Sequence, residues 1–231
     1  MSAAPVALIS GASRGIGLAI AEKLASQGWN LSLGMRAPEL PSFADPARTH
    51  LQRYDAAEGG EAEWVQNALA RFGRIDAIIA NAGIMIPKSV IDAEDEDLDA
   101  MFAVNVKAPR RLAKAAFEPL AATGRGRVII LASLSGKRVK SADSGLYAMT
   151  KFAAVALSHG IRQSGYHRGI RATAVCPGFV GTDMARAITS RDAETMTRPD
   201  ELAEVVAMLI GLSNTASVAE FCVSCALEES Y

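Results

Sequence analysis

Tyr147 and Lys151 stand four residues apart in the stretch SGLYAMTK, residues 144–151. On a helix, four residues advance about 6 Å and turn little more than once, so the phenol and the ammonium share a face. A phenol has a reference pKa of about 10, too high for easy proton exchange near neutrality. A neighbouring ammonium favours the phenolate and lowers that value. The pair is therefore a candidate proton donor and acceptor. Taken alone, it would equally suit a half-buried aromatic beside a solvated lysine.

A second constellation lies far upstream. SGASRGIG spaces Gly11, Gly15 and Gly17 as G-x-x-x-G-x-G directly after an apolar run. A strand-to-helix turn of this kind must bend sharply and let a phosphate approach its backbone, and glycine permits both. The helix that follows offers free N–H groups and a positive dipole end to an anion. A tight structural turn would use the same residues, but this position favours a dinucleotide. The next strand ends LSLGMRAP, with Met35 and Arg36 where NAD-binding chains usually carry an acid for the ribose hydroxyls. Arg36 and Arg14 would suit a ribose 2′-phosphate through charge-assisted hydrogen bonds, so NADP is expected over NAD; two solvated arginines are the plainer alternative.

The elements that must position these groups are legible as an alternation. Short apolar runs at 5–10, 30–35, 49–55, 75–81, 127–133, 170–178 and 217–225 predict strands bounded by Gly, Asp, Asn or Pro. Helical patterns fill the gaps at 17–28, 60–73, 96–124, 145–165 and 198–213, several stopping at glycine. Strict alternation implies parallel strands joined by helical crossovers: an α/β, Rossmann-type, doubly wound sheet of about seven strands in a single domain over residues 1–231. Half of the 231 residues are hydrophobic, and 24 basic side chains stand against 25 acidic ones. That balance suggests neither a nucleic-acid partner nor a membrane surface. No apolar run reaches the roughly 18 residues of a membrane span, and MSAAPVALIS lacks a basic leader, so a cytoplasmic location is expected. CVSC, holding Cys222 and Cys225, lies in a predicted strand, where positions three apart face opposite ways. With no second cysteine pair, no metal site is expected.

With these motifs in this order, the chain resembles the short-chain dehydrogenase/reductase family from about residue 5 to residue 215. The resemblance implies cofactor contacts from Gly11, Ser13, Arg14, Gly15, Ile16 and Gly17 in the glycine turn, and from Asp55 in RYDAAE. It extends them to Asn81, Ala82 and Gly83 in NAG, and to Pro177, Gly178, Val180 and Thr182 in PGFVGTDM. Asn105 in FAVNV matches the family's catalytic asparagine, Ser133 in ILASLSG its serine, and Tyr147 and Lys151 its Y-x-x-x-K pair. Ser133 is preferred to Ser135 because Gly136 follows it in the family's S-x-x-G spacing, although the gap to Tyr147 is one residue longer than usual. The family's long helices, here beginning near Glu96 and Gly145, usually pair between subunits, which implies a homodimer or homotetramer.

Such a set can reduce a carbonyl. That reaction needs a hydride donor, an acid for the developing alkoxide and a hydrogen bond on the carbonyl oxygen. Tyr147 would move the proton while Lys151 tunes it and anchors the nicotinamide ribose. Ser133, at a strand's C-terminal end, would hold the oxygen, and Asn105 a water linking Lys151 to solvent. Residues 184–199 would form a short lid, with Met184, Ile188 and Met196 as its larger apolar groups and Leu134, Phe179 and Val180 adding apolar wall. A small or medium, mostly uncharged carbonyl or alcohol is expected, an aldehyde, ketone or hydroxy acid; Arg186, Arg191 and Arg198 could receive an acidic substrate, but surface charge is their plainer role. SVAEFCVSCALEESY departs from the glycine-pair tail of many relatives. A non-catalytic dinucleotide-binding sensor or scaffold is the competing reading.

Overall fold

The computed structural model describes residues 4–228; the last three residues of the unusual tail lie outside them. Among the described residues seven strands are present: β1 (Val6–Ser10), β2 (Asn30–Met35), β3 (Thr49–Arg53), β4 (Ala77–Ala80), β5 (Arg127–Leu131), β6 (Arg171–Pro177) and β7 (Glu220–Val223). All pair in parallel in the order β3-β2-β1-β4-β5-β6-β7. The chain winds outward one way from β1 through β3 and the other way from β4 through β7. The strand order reverses beside β1, and a crevice opens there at the C-terminal strand ends.

The helices cover both faces. They are α1 (Gly15–Ser26), α2 (Glu61–Phe72), α3 (Asp95–Phe102), α4 (Ala108–Ala122), α5 (Gly145–Gly165), α6 (Asp183–Arg186) and α7 (Pro199–Gly211). The period of two along β1 sorts the core. Val6 and Leu8 pack with Trp64, Leu112 and Ala154 from α2, α4 and α5, while Ala7 and Ile9 pack with Ile20, Leu24 and Val206 from α1 and α7. Among the described residues, no helix is long and apolar enough to cross a membrane.

Three details differ from the sequence expectation. The helical stretch 96–124 is divided by a π-helical turn at Ala103–Lys107, which carries Asn105. The periodicity conceals this because one extra residue per turn leaves both flanking helices in phase with their own cores. The last strand ends at Val223, so Cys225 falls outside it, and Cys222 instead faces Cys176 across β6 and β7. The helix α6, just after β6, was not expected; four residues are too few to show a period.

Candidate active site

The C-terminal strand ends line a cavity of about 1050 Å³. On its cofactor side, Gly11 and Gly15 adopt φ of 66° and 57°, conformations that glycine takes without strain. Gly17 is required by closeness instead: a Cβ there would lie 2.3 Å from the Gly11 carbonyl oxygen and 2.6 Å from Asn81 Nδ2. Asn81 stitches the turn to β4. Its Nδ2 donates to the Ser10 and Gly11 carbonyls at 3.0 and 3.1 Å, and the Asn81 and Ala82 N–H groups both donate to Ser10 Oγ at 3.0 Å.

Gly11, Ser13, Arg14, Gly15, Ile16, Arg36, Asp55, Asn81, Ala82 and Gly83 all line this side. Pro177, Gly178, Val180 and Thr182 line the opposite wall. Gly17 does not line the cavity; it lets the turn close behind it. Arg14 Nη1 is paired with Asp183 at 2.8 Å, both side chains mostly exposed, so the β6 loop is clipped to the glycine turn. No acid stands at the end of β2, where Arg36 is exposed on the cavity wall.

Ser133, Tyr147 and Lys151 meet at the centre. Ser133 leaves β5 in extended backbone; its Oγ accepts from the Ser135 N–H at 3.0 Å and donates to the Pro177 carbonyl at 3.4 Å. The Ser133 hydroxyl lies close enough to the Tyr147 phenol to act on its titration. The S-x-x-G spacing has a steric cause: a Cβ on Gly136 would sit 2.6 Å from the Lys151 carbonyl oxygen, so only glycine lets the serine turn dock on α5. Lys151 Nζ donates to the Leu131 carbonyl at 2.8 Å and lies 5.5 Å from the Tyr147 ring centroid.

Burial governs both titrations. It pushes the Lys151 ammonium down to about 8, with Cys176 nearby opposing the fall. It pushes the Tyr147 phenol above its ordinary value, with the neighbouring Ser133 hydroxyl opposing the rise. The sequence argument expected Lys151 to bring the phenol down; in the structure desolvation of the phenol prevails.

Asn105 lies just behind the cavity and does not line it. Its Nδ2 donates to the Ile84 carbonyl at 2.9 Å and to Thr150 Oγ1 at 3.0 Å, and its Oδ1 accepts from the Ile84 N–H at 2.9 Å. Both amide hydrogens are thus committed to holding the Gly83–Ile84 backbone against α5. Met184, Ile188, Leu134, Phe179 and Val180 line the substrate side, while Met196 is buried elsewhere in the fold. Arg198 lies outside the cavity, paired with Asp200 at the start of α7, whereas Arg186 and Arg191 line it.

The sequence reading missed Arg138, Lys140 and Glu228, which line the same cavity and cluster by ion pairing. It also missed a donor cluster behind Ser133, where Cys176, Cys222 and Glu220 bring their donor atoms within 4.8 Å of one another. Strand order alone makes that cluster. Both Glu220 oxygens are already engaged, by Lys137 at 2.6 Å and His159 at 2.7 Å, and burial pushes the Cys176 thiol up to about 12.

The family sequence model described as short chain dehydrogenase matches residues 5–193. The chain belongs to the short-chain dehydrogenase family. Like that family, it is built on a Rossmann-like parallel sheet. Its relatives include the agropine synthesis reductase of Rhizobium rhizogenes, 38% identical over 97% of this chain and 53% of that protein. Oxidoreductase UcpA of Escherichia coli K12 is 32% identical over 97% of this chain and 88% of that protein. The chain spans about half the length of the agropine synthesis reductases it matches. Among solved structures, an alcohol dehydrogenase of Thermococcus sibiricus complexed with 5-hydroxy-NADP is 29% identical, with a TM-score of 0.84 over 98% of this chain and 99% of that one. A short-chain dehydrogenase of Burkholderia cenocepacia J2315 in complex with NADP is 28% identical, with a TM-score of 0.82 over 95% and 96%.

Proposed function

We propose that this short-chain dehydrogenase transfers a hydride between NADP(H) and a small or medium carbonyl/alcohol pair, with Tyr147 as the proton donor and acceptor. The observation that carries the reading is one cavity that joins the glycine turn to Ser133 and a buried phenol beside Lys151. The turn fits a dinucleotide because nothing larger than glycine fits at Gly17, while free backbone and α1's N-terminus face the opening. When bound, the nicotinamide supplies or accepts the hydride.

The chain's own residues do the rest. Burial keeps the Tyr147 phenol protonated at neutrality, ready to donate to a developing alkoxide. Ser133 hydrogen-bonds the same oxygen. Lys151, cationic below about pH 8, stabilises the phenolate that donation leaves. Asn105 acts through the backbone it holds, keeping the Gly83–Ile84 turn against Lys151. Arg36 and Arg14 favour the 2′-phosphate of NADP, since no carboxylate at the end of β2 repels it; the NADP complexes of two relatives support that choice. Residues 184–199 serve as the lid of one catalytic unit. Exposed Met149 and Phe152 on α5 suit a subunit interface in a dimer or tetramer.

The test is NADPH oxidation against a panel of aldehydes and ketones. Tyr147→Phe should bind NADPH normally and lose at least about a hundredfold in kcat, the usual scale of a general acid. A wild-type rate in that variant would refute the role. Inert wild-type protein that binds NADPH would favour a non-catalytic sensor. Arg36→Asp should weaken NADPH far more than NADH; equal weakening would remove the 2′-phosphate argument.

A further inference from the structure

After β7 the chain runs without regular structure along the substrate side of the cavity. The Gly178 N–H donates to the Val223 carbonyl at 2.8 Å, and a Cβ on Gly178 would lie 3.0 Å from Ser224 Oγ. Residues 224–228 therefore rest on the loop whose Pro177 carbonyl accepts from Ser133. Glu228 then turns inward, and its side chain is only 6% exposed. Its carboxylate accepts from Arg138 Nε and Nη2 at 2.8 and 2.6 Å and from Ser224 Oγ at 3.0 Å, with Lys140 Nζ at 3.7 Å. Arg138 and Lys140 follow the turn that carries Ser133, and all of them line the cavity that holds Tyr147.

We propose that Arg138 and Lys140 form an anion subsite for the substrate, that Glu228 fills it in the free enzyme, and that the preferred substrate carries a carboxylate in addition to its reacting carbonyl or alcohol. This rests on the reductase reading and names its substrate class. Among the aldehydes, ketones and hydroxy acids expected from sequence, it selects the acids.

Charge and burial carry the argument. Two cations face one carboxylate, and Lys140, mostly exposed, stands too far from Glu228 for a direct hydrogen bond. Exposed Asp143, Arg186 and Arg191 also line the cavity, and Arg186 is already paired with Asp183 at 3.0 Å, whereas Arg138 and Lys140 share the single carboxylate of Glu228. A half-enclosed guanidinium stripped of its partner is costly. A neutral substrate must therefore leave Glu228 in place. A substrate carboxylate can exchange with it, keeping the charge-assisted bonds while the freed segment moves aside. The exchange breaks no strand pairing, because the sheet ends at Val223. The stand-in is itself a carboxylate, which selects that group over a phosphate.

The test compares levulinate with 2-pentanone, two ketones that differ chiefly in the carboxylate, using NADPH and the full chain. The wild type should favour levulinate in kcat/KM by about tenfold or more, the scale of one charge-assisted contact. Arg138→Gln should cut that preference at least about tenfold, whatever loss is common to both ketones. Glu228→Gln should lower the KM for levulinate and leave that for 2-pentanone unmoved. Equal use of both ketones by the wild type, or an unchanged ratio in Arg138→Gln, would overturn the subsite. Absence of turnover bears on the reductase reading alone. Saturation-transfer NMR on the NADP-saturated protein then decides: levulinate binding that Arg138→Gln abolishes supports the subsite, and no binding, or binding indifferent to Arg138, refutes it.

Discussion

Lys151→Met should abolish the proposed reductase activity and stabilise the fold. Lys151 is 5% exposed, and no carboxylate pairs with it among the described residues; its ammonium has one hydrogen bond, to the Leu131 carbonyl. Burial lowers its pKa from 10.5 to about 8. A difference of that size means that the folded state disfavours the charged form by about 3 kcal/mol near pH 7. Methionine fills similar volume without charge but forfeits the bond to Leu131, which costs about 1 kcal/mol. The net gain is about 2 kcal/mol, or roughly 4–8 °C in Tm for a chain of this size. The pH dependence supplies the sign. The folded pKa lies below the unfolded value, so the unfolded chain holds the extra proton between about pH 8 and 10.5. Wild-type stability from this group therefore rises with pH across that window. Lys151→Met lacks the rise, so its advantage should shrink from about 2 kcal/mol near pH 7 to under about 1 kcal/mol near pH 9. The raised pKa values of Tyr147 and Cys176 act oppositely at high pH, but both proteins share them and the difference cancels. Urea unfolding followed by tryptophan fluorescence at both pH values measures the gap. A variant no more stable than wild type at pH 7, or a gap that widens with pH, would refute the reasoning.

The same ammonium predicts that kcat/KM for carbonyl reduction falls as pH rises through about 8, where Lys151 loses the charge that stabilises the phenolate. A pH profile flat to pH 9.5 would show that its charge is not needed. Gly17→Ala puts a Cβ 2.3 Å from the Gly11 carbonyl, so the turn must open. Its NADPH affinity should fall at least about tenfold in a fluorescence titration while circular dichroism stays near wild type. Phe152→Glu puts a charge on the exposed face of α5, and light scattering should report a smaller assembly than wild type.

Local chemistry was the legible part of this sequence. The windows 30–35 and 145–165 coincide with β2 and α5 to the residue, because apolar runs and glycine stops are signals carried within each element. The Y-x-x-x-K spacing put Tyr147 and Lys151 on one helix face, and S-x-x-G picked out Ser133, whose glycine has a steric reason once α5 is seen beside it. What stayed hidden depends on pairings between distant segments. Arg138 and Glu228 are ninety residues apart with no shared period, and Cys176 meets Cys222 only because β6 and β7 are neighbours. The Tyr147 pKa misled for a related reason. Spacing shows an ammonium nearby, but the amount of protein packed over the phenol follows from the whole fold.

The reactive side chains have a common way of being held. Lys151 is tied to the carbonyl of Leu131 at the end of β5, Ser133 to that of Pro177 at the end of β6, and Asn81 to those of Ser10 and Gly11 at the end of β1. Asn105 does the same to the backbone that follows β4. The Asn81 and Ser133 bonds cross from one strand's connection to the end of a neighbouring strand, whereas Lys151 and Asn105 reach back within the connection that carries them. A parallel sheet frees backbone carbonyls together along its C-terminal edge, where the connecting loops also gather. The array therefore depends on strand register, and a slip at any one strand would displace partners on both sides. Mutations that loosen β5 or β6 far below the cavity should then lower kcat before they lower the melting temperature, since the edge bonds are few and the ladder beneath them is long.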